Sequence, residues 1–286
     1  MEKFKKNEFT LVGTLANADI KLGNRTNDGA GYVSVKAIVT NNINGRNNEF
    51  EVEFYAYEMT AKKEVSKLYT NYVEMNKLVG KKVEINGSLK ENRYWSNNQG
   101  QIISTTTLSG KFIKGALETT PEVATFVIGG FVAKELVEKK NKNNEIYRYD
   151  LTIAQTDYTE TSLNMFTLHV NPDETAIVNG VRNYQAGQTI KLDGSLSFTV
   201  EEKVVEDTNT AFGKPLPKVY KNKSKNFFIE SGSNPIKDES SYDSEAIRNL
   251  IDAYKAKDVE LAAGAKKENA PVVKEAPVKT RQTSLV

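Results

Sequence analysis

Hydrophobic and polar residues alternate with a period of two through much of the first 115 residues, the pattern of strands with one buried face. Phe9-Thr-Leu-Val-Gly13-Thr-Leu15 reads as a buried strand, and a Gly/Asn-rich loop from Gly23 to Gly31 follows it. Val33, Val35, Ala37 and Val39 then share one face of a second strand. Asn44-Gly45 predicts a tight hairpin turn. Beyond it Phe50, Val52, Phe54 and Ala56 alternate with Glu49, Glu51, Glu53 and Tyr55. From Thr60 to Val79 the spacing becomes helical, through Val65, Leu68, Tyr69, Tyr72 and Leu78. Two further strands, Lys82–Leu89 and Gln101–Ile113, complete the segment. Three strands, a helix and two strands is the order of an OB-fold barrel.

The second segment repeats the first. Gly80-Lys-Lys-Val-Glu-Ile-Asn-Gly87-Ser-Leu89 matches Gly187-Gln-Thr-Ile-Lys-Leu-Asp-Gly194-Ser-Leu196, and Phe9, Gly13 and Leu15 line up with Phe126, Gly130 and Val132. Glycines at fixed places in a small barrel permit the bends that close it. The expected architecture is therefore mainly β: two tandem OB-fold barrels over residues 1–118 and 119–236, a helix within 237–262 and a disordered tail over 263–286. Leu117–Glu122 forms the linker, Asp173–Val181 a shorter second helix, and Glu201–Asn226 an insertion in the last hairpin. Ile247, Leu250, Ile251 and Tyr254 give the C-terminal helix one apolar side.

Composition narrows the chemistry. Cysteine is absent and histidine occurs once, which removes disulfides, thiolate nucleophiles and thiolate-ligated metal sites and leaves little for a Ser–His triad. The loop Gly23–Gly31 leads into a strand, so it fits neither a dinucleotide fold nor a P-loop. His169 stands alone on a strand, and Glu49, Glu51 and Glu53 form a solvated face without a ligand pattern. The expectation is a binding protein with no catalysis, no metal and no cofactor. With no apolar run long enough to span a bilayer and no secretory signal, a cytoplasmic setting is expected.

Net charge is only +2 overall, with +4 over residues 1–118 and −2 over 119–236. More informative is Lys90-Glu-Asn-Arg93-Tyr94-Trp95, which places the single Trp beside Tyr94 and Arg93 near the tip of the hairpin between strands four and five. OB folds take oligonucleotides on the face of strands two and three and with this loop. Aromatic rings stack on bases while Arg and Lys track phosphates. The candidate contacts in the first barrel are Trp95, Tyr94, Arg93 and Lys90, with Tyr32, Lys36, Tyr55 and Tyr57 on the strand face and Arg25 and Arg46 in its loops. In the second barrel the insertion offers Lys214, Lys218, Tyr220, Lys221 and Lys223.

Phe9-Thr-Leu-Val-Gly13-Thr-Leu-Ala-Asn-Ala-Asp19, and the run from Gly80 through Gly87, Arg93 and Trp95 to Gly100, resemble two motifs of the single-stranded DNA-binding proteins (SSB) of bacteria and phages. The resemblance covers about the first 115 residues. It implies single-stranded DNA as partner, Trp95 as a base-stacking residue, and a role in replication or recombination alongside proteins of those processes. The chain departs from the family where Glu49, Glu51 and Glu53 replace outward aromatic and basic residues, and where the end, Lys279-Thr-Arg-Gln-Thr-Ser-Leu-Val286, lacks an acidic Pro-Phe tip. A doubled barrel without that tip fits a phage-type member. Family members often bring four OB folds to one strand, so a two-barrel chain reaches four as a homodimer or acts with its own two. The competing classes are an RNA-binding or strand-annealing protein and a structural, protein-docking scaffold.

Overall fold

The computed structural model describes residues 4–156, 162–206 and 217–268. Its first half contains β1 (Lys6–Asn24), β2 (Gly31–Ile43), β3 (Arg46–Tyr57), α1 (Lys67–Val73), β4 (Lys82–Ser96) and β5 (Gln101–Gly115). The second contains β6 (Val123–Lys140), β7 (Ile146–Thr156), β8 (Leu163–Val170), α2 (Thr175–Arg182), β9 (Thr189–Glu206) and β10 (Pro217–Gly232), followed by α3 (Ser244–Glu268).

Each half closes in the same way. β1 pairs with β4 over Phe9–Thr14 and with β2 from Thr14 onward, β2 pairs with β3, and β4 with β5. A short parallel contact, Val52 opposite Leu108 and Glu53 opposite Ser109, joins β3 to β5 and shuts the ring. In the second half β6 pairs with β7 and β9, β7 with β8, β9 with β10, and the parallel contact Phe228 to His169 closes it. Two five-stranded OB barrels result, as the repeat predicts. At the tip of the β2–β3 hairpin Asn44 and Gly45 have φ of 53° and 77°, the left-handed pair a type I′ turn requires.

The repeated glycines have a steric cause. A Cβ on Gly87 would collide with the Ser109 carbonyl and the Phe9 ring, and one on Gly194 with the Phe228 carbonyl and the Phe126 ring. Each barrel thus seats the phenylalanine of its first strand against a bare backbone in its fourth. The helix between strands three and four plugs one end. Tyr72 of α1 is buried against Phe54, with ring centroids 5.1 Å apart, and donates to the Lys111 carbonyl at 2.7 Å. Burial pushes its phenol up to about 12. In the second barrel Val178 and Val181 of α2 do the plugging.

Three elements differ from the sequence reading. The helical spacing of Thr60–Val79 yields only α1 and a 3-10 turn at Met75–Leu78, because the helix starts late, at the Ser66 cap. Ser66 Oγ accepts from Tyr69 N there. The insertion of the last hairpin is not a loop where it is described: Thr199–Glu206 and Pro217–Lys225 continue the β9–β10 ladder as a ribbon. Third, α3 runs on to Glu268, and the rest of the tail expected to be disordered lies outside the described residues.

The barrels join edge to edge. β1 and β6 run antiparallel from Lys6 opposite Gly129 to Val12 opposite Val123, with Phe9 opposite Phe126 at the centre. Because Phe9 and Phe126 are repeat-equivalent, this register relates the barrels by a local two-fold axis through that pair. Buried amides follow the symmetry: Asn41 Nδ2 donates to the Val12 carbonyl and Gln155 Nε2 to that of Gly129, its equivalent. Gln155 also donates to the Lys6 carbonyl, and Asn48 Oδ1 accepts from Phe198 N. One hydrophobic core runs through both barrels.

Candidate nucleic-acid interface

On β2 and β3 the pleat sends Tyr32, Ser34 and Lys36, and Tyr57, Tyr55 and Glu53, to the outer face, with Tyr32 opposite Tyr57, Ser34 opposite Tyr55 and Lys36 opposite Glu53. Tyr32 and Tyr55 stack with centroids 5.4 Å apart and planes at 24°, and Tyr57 meets Tyr55 edge-on at 5.2 Å. The Arg25 guanidinium lies 5.2 Å from the Tyr57 centroid. Gly23 faces Tyr32 across β1, and a Cβ there would run into the ring. Tyr55 and Tyr57 remain 49% and 42% exposed. Partial desolvation, and then the neighbouring Tyr57 hydroxyl, hold the Tyr55 phenol above its usual value. The platform offers flat π surface beside a cation, which suits stacking of any base.

The hairpin residues lie elsewhere. β3 runs parallel to β5, so Tyr57 lies level with Ile113, whereas Trp95 pairs with Ile102. Eleven strand residues separate the two levels, roughly 35 Å at about 3.3 Å per residue. Arg93 and Trp95 face α3, and Lys90 and Tyr94 face outward and are exposed. Arg93 forms an ion pair with Asp258, donates to the Tyr254 carbonyl at 3.2 Å and stacks 3.5 Å over the Tyr254 ring. Its side chain is 12% exposed, so it braces the helix. Trp95 lines a groove of about 840 Å³ with Leu163, Tyr254, Lys257 and Leu261.

Two of the lysines are paired with the acidic row of β3, and a third with Glu202 of β9. Lys36 lies 3.9 Å from Glu51, Lys223 2.8 Å from Glu49, and Lys221 2.8 Å from Glu202. The Glu202 hydrogen bond holds the Lys221 ammonium above its ordinary value. The Lys223 pair bridges the ribbon of the second barrel to β3 of the first, and Tyr220, earlier on the same strand, is exposed. Arg46 is exposed at the start of β3. Lys218 pairs in the ladder opposite Val205, its side chain outside the described residues, and Lys214 lies wholly outside them.

The structure thus brings Arg25, Tyr32, Tyr55 and Tyr57 together and keeps Arg93 and Trp95 apart from them. Sequence reasoning missed the capture of Arg93 by α3 and a polar pocket of about 420 Å³ lined by Thr14, Thr40, Asn42, Asn47 and Glu49. The run of asparagines about Asn44-Gly45 is the one sequence signal for the latter. Among the described residues, no three His, Asp or Glu side chains gather into a metal-binding group, and no helix is long and apolar enough to cross a membrane. His169 is buried, its Nδ1 2.9 Å from Asp150 Oδ1, with Arg148 at 2.8 Å from the same oxygen.

Barrel closure and strand order define a pair of OB folds. The wild-type single-stranded DNA binding protein from Thermus aquaticus superposes with a TM-score of 0.51 at 9% identity, covering 84% of this chain and 98% of that one. A deletion mutant of that protein gives 0.50 at 10% identity, with the same coverage. The chain itself belongs to the YorF family, whose model matches residues 5–264. No curated protein matches it.

Proposed function

We propose that this chain binds single-stranded DNA without sequence preference, through base stacking on the outer face of β2 and β3 and phosphate contacts around it. The observation that carries the reading is the open tyrosine platform, with Tyr32, Tyr55 and Tyr57 in ring contact and Arg25 over the last of them. An OB fold places its ligand on this face, and a fold shared with a protein named for single-stranded DNA binding supports the same ligand class. Lys36, Arg46, Lys90 and Tyr94 extend the path along the first barrel. Tyr220, Lys221 and Lys223 of the ribbon, with Lys214 and Lys218, supply backbone contacts from the second. Trp95 is the stacking residue at the far end.

In this reading residues 1–118 and 119–236 are the two modules, and the protein is a phage-type relative of the SSB family. It acts in the cytoplasm, protecting exposed strands in replication or recombination without catalysis. A homodimer would bring four barrels to one strand.

Fluorescein-labelled polythymidine tests the reading. Saturable binding is expected, weakening with salt by about 0.7 log unit per phosphate contacted, together with a change in the fluorescence of Trp95, the single indole. The saturation of Lys36, Lys221 and Lys223 by glutamates favours one alternative, a protein-docking scaffold. Absence of binding at low salt would select it. Equal affinity for polyuridine would widen the ligand class to RNA.

A further inference from the structure

The outer face of the second barrel is not open. β7 and β8 turn Ala154, Leu163 and Met165 outward beside Phe131 of β6. These side chains form an apolar cluster of their own with Tyr242 and with Ile247, Leu250, Ile251 and Tyr254 of α3. Tyr242 packs on Phe131 with centroids 5.0 Å apart, its hydroxyl lies 3.1 Å from Thr156 Oγ1, and its N–H donates to Thr189 Oγ1 at 2.9 Å.

The closing registers fix which residues correspond in the two barrels. Glu53, opposite Ser109, corresponds to His169, opposite Phe228, and Lys36, opposite Glu53, to Asp150, opposite His169. Carried along the strands, Phe131, Ala154, Leu163 and Met165 correspond to Thr14, Thr40, Asn47 and Glu49. These four line the open polar pocket of the first barrel. The same surface is therefore apolar and covered in one barrel, polar and uncovered in the other.

The first barrel's hairpin also grips the helix. Beyond the Arg93 contacts, the Tyr254 hydroxyl donates to Glu91 Oε1, and Glu91 Oε2 accepts from Met165 N at 2.9 Å. Burial, then this Glu91 bond, raise the Tyr254 phenol well above its usual range.

We propose that α3 is a permanent, built-in cover on the part of the second barrel's outer face that corresponds to the first barrel's polar pocket, and that, with no tyrosine platform beyond it, each chain offers one strand-stacking site, on the first barrel. The inference rests on the strand-binding reading and deepens it. A nucleic-acid backbone has no apolar stripe to replace Ile247, Leu250 and Ile251, so a strand does not exchange for the helix. Among the described residues the second barrel also shows no tyrosine platform: counted on past the last β7–β8 pair, Tyr149 opposite Val170, the places of Tyr32, Tyr55 and Tyr57 fall at Ile146, Asn171 and Asp173, the last two beyond the end of β8.

The test uses the full chain and an oligothymidine of about eight nucleotides, short enough for one OB barrel. Native mass spectrometry should show one oligonucleotide per chain up to large excess, and hydrogen exchange of residues 244–261 should not become faster on saturation. Two bound per chain, or faster exchange in α3, would overturn the proposal while leaving strand binding intact. No binding at all would remove the strand-binding reading and this proposal with it.

Discussion

Counted along the closing registers, the places held in the first barrel by Tyr32, Tyr55 and Tyr57 fall in the second at Ile146, which packs on the core, and at Asn171 and Asp173, in the turn after β8. Lys36 and Glu53 correspond to Asp150 and His169, which are buried and bonded to each other. The hairpins diverge as well: Arg93, Tyr94 and Trp95 correspond to Val200, Glu201 and Glu202. What the barrels share is closure: the glycines, the phenylalanine seats and the parallel contact between third and fifth strands. Closure is a steric requirement that both copies must meet, whereas an outer face is free to change. One copy presents stacking surface and the other holds a helix.

The largest effect should separate these faces. Tyr55→Ala and Tyr57→Ala should each weaken polythymidine binding by about 1–3 kcal/mol, whereas Asn171→Ala and Asp173→Ala should leave it unchanged. Fluorescence anisotropy measures both sets, with circular dichroism confirming the fold. Equal losses from the two sets would mean that the second face also takes the strand.

A change at the shared feature should instead be symmetric. Gly87→Ala and Gly194→Ala each force a Cβ into a carbonyl and a ring, and each should cost about 1–3 kcal/mol in urea unfolding. Strongly unequal costs would show that the two closures are not equivalent.

Asp150 and its counterpart Lys36 sharpen the comparison by pH. Burial acts to raise the Asp150 carboxyl, but the His169 hydrogen bond and the Arg148 charge outweigh it and hold the group below its ordinary value. A carboxylate lowered on folding adds stability above its unfolded value, near 4, and loses it as pH falls through the lower folded value. Asp150→Asn should lower stability by about 1 kcal/mol at pH 7 and abolish this part of the acid-side decline. Lys36→Ala, at an exposed surface pair, should do neither. Urea midpoints between pH 7 and pH 3 decide it.

The smallest effect concerns the contact between the barrels across the face. Glu49→Gln frees Lys223, and binding should tighten by about 0.2–1 kcal/mol, with a salt slope steeper by about 0.7 log unit. In a Lys223→Gln background the gain should vanish. An equal gain in both backgrounds would show that Glu49 acts by general repulsion and not by holding that lysine.

Much of the fold is legible in the chain because its causes are local or repeated. The alternation from Val33 to Val39 and from Phe50 to Ala56 follows the pleat, and those residues are buried. The matched glycines signal two barrels because each must admit a phenylalanine ring. The site is only partly legible. Arg25 and Tyr32 come from one side of the β2–β3 hairpin and Tyr55 and Tyr57 from the other, and their contact depends on the register of β2 against β3. Arg93 has the composition of a phosphate contact, but its partners, Tyr254 and Asp258, lie more than 160 residues away.

By itself the sequence determined the strands, the turn at Asn44-Gly45, the doubled barrel and the apolar stripe of α3, since each follows from periodicity, left-handed backbone preference or the space a glycine leaves. Only the tertiary structure decided that β1 meets β6 with Phe9 against Phe126, that α3 rests on the second barrel and grips the first, and that the tyrosines stay open. Those outcomes depend on which edges and faces find complementary surface at long range. An apolar stripe states that it must be covered; the packing of the whole chain selects what covers it.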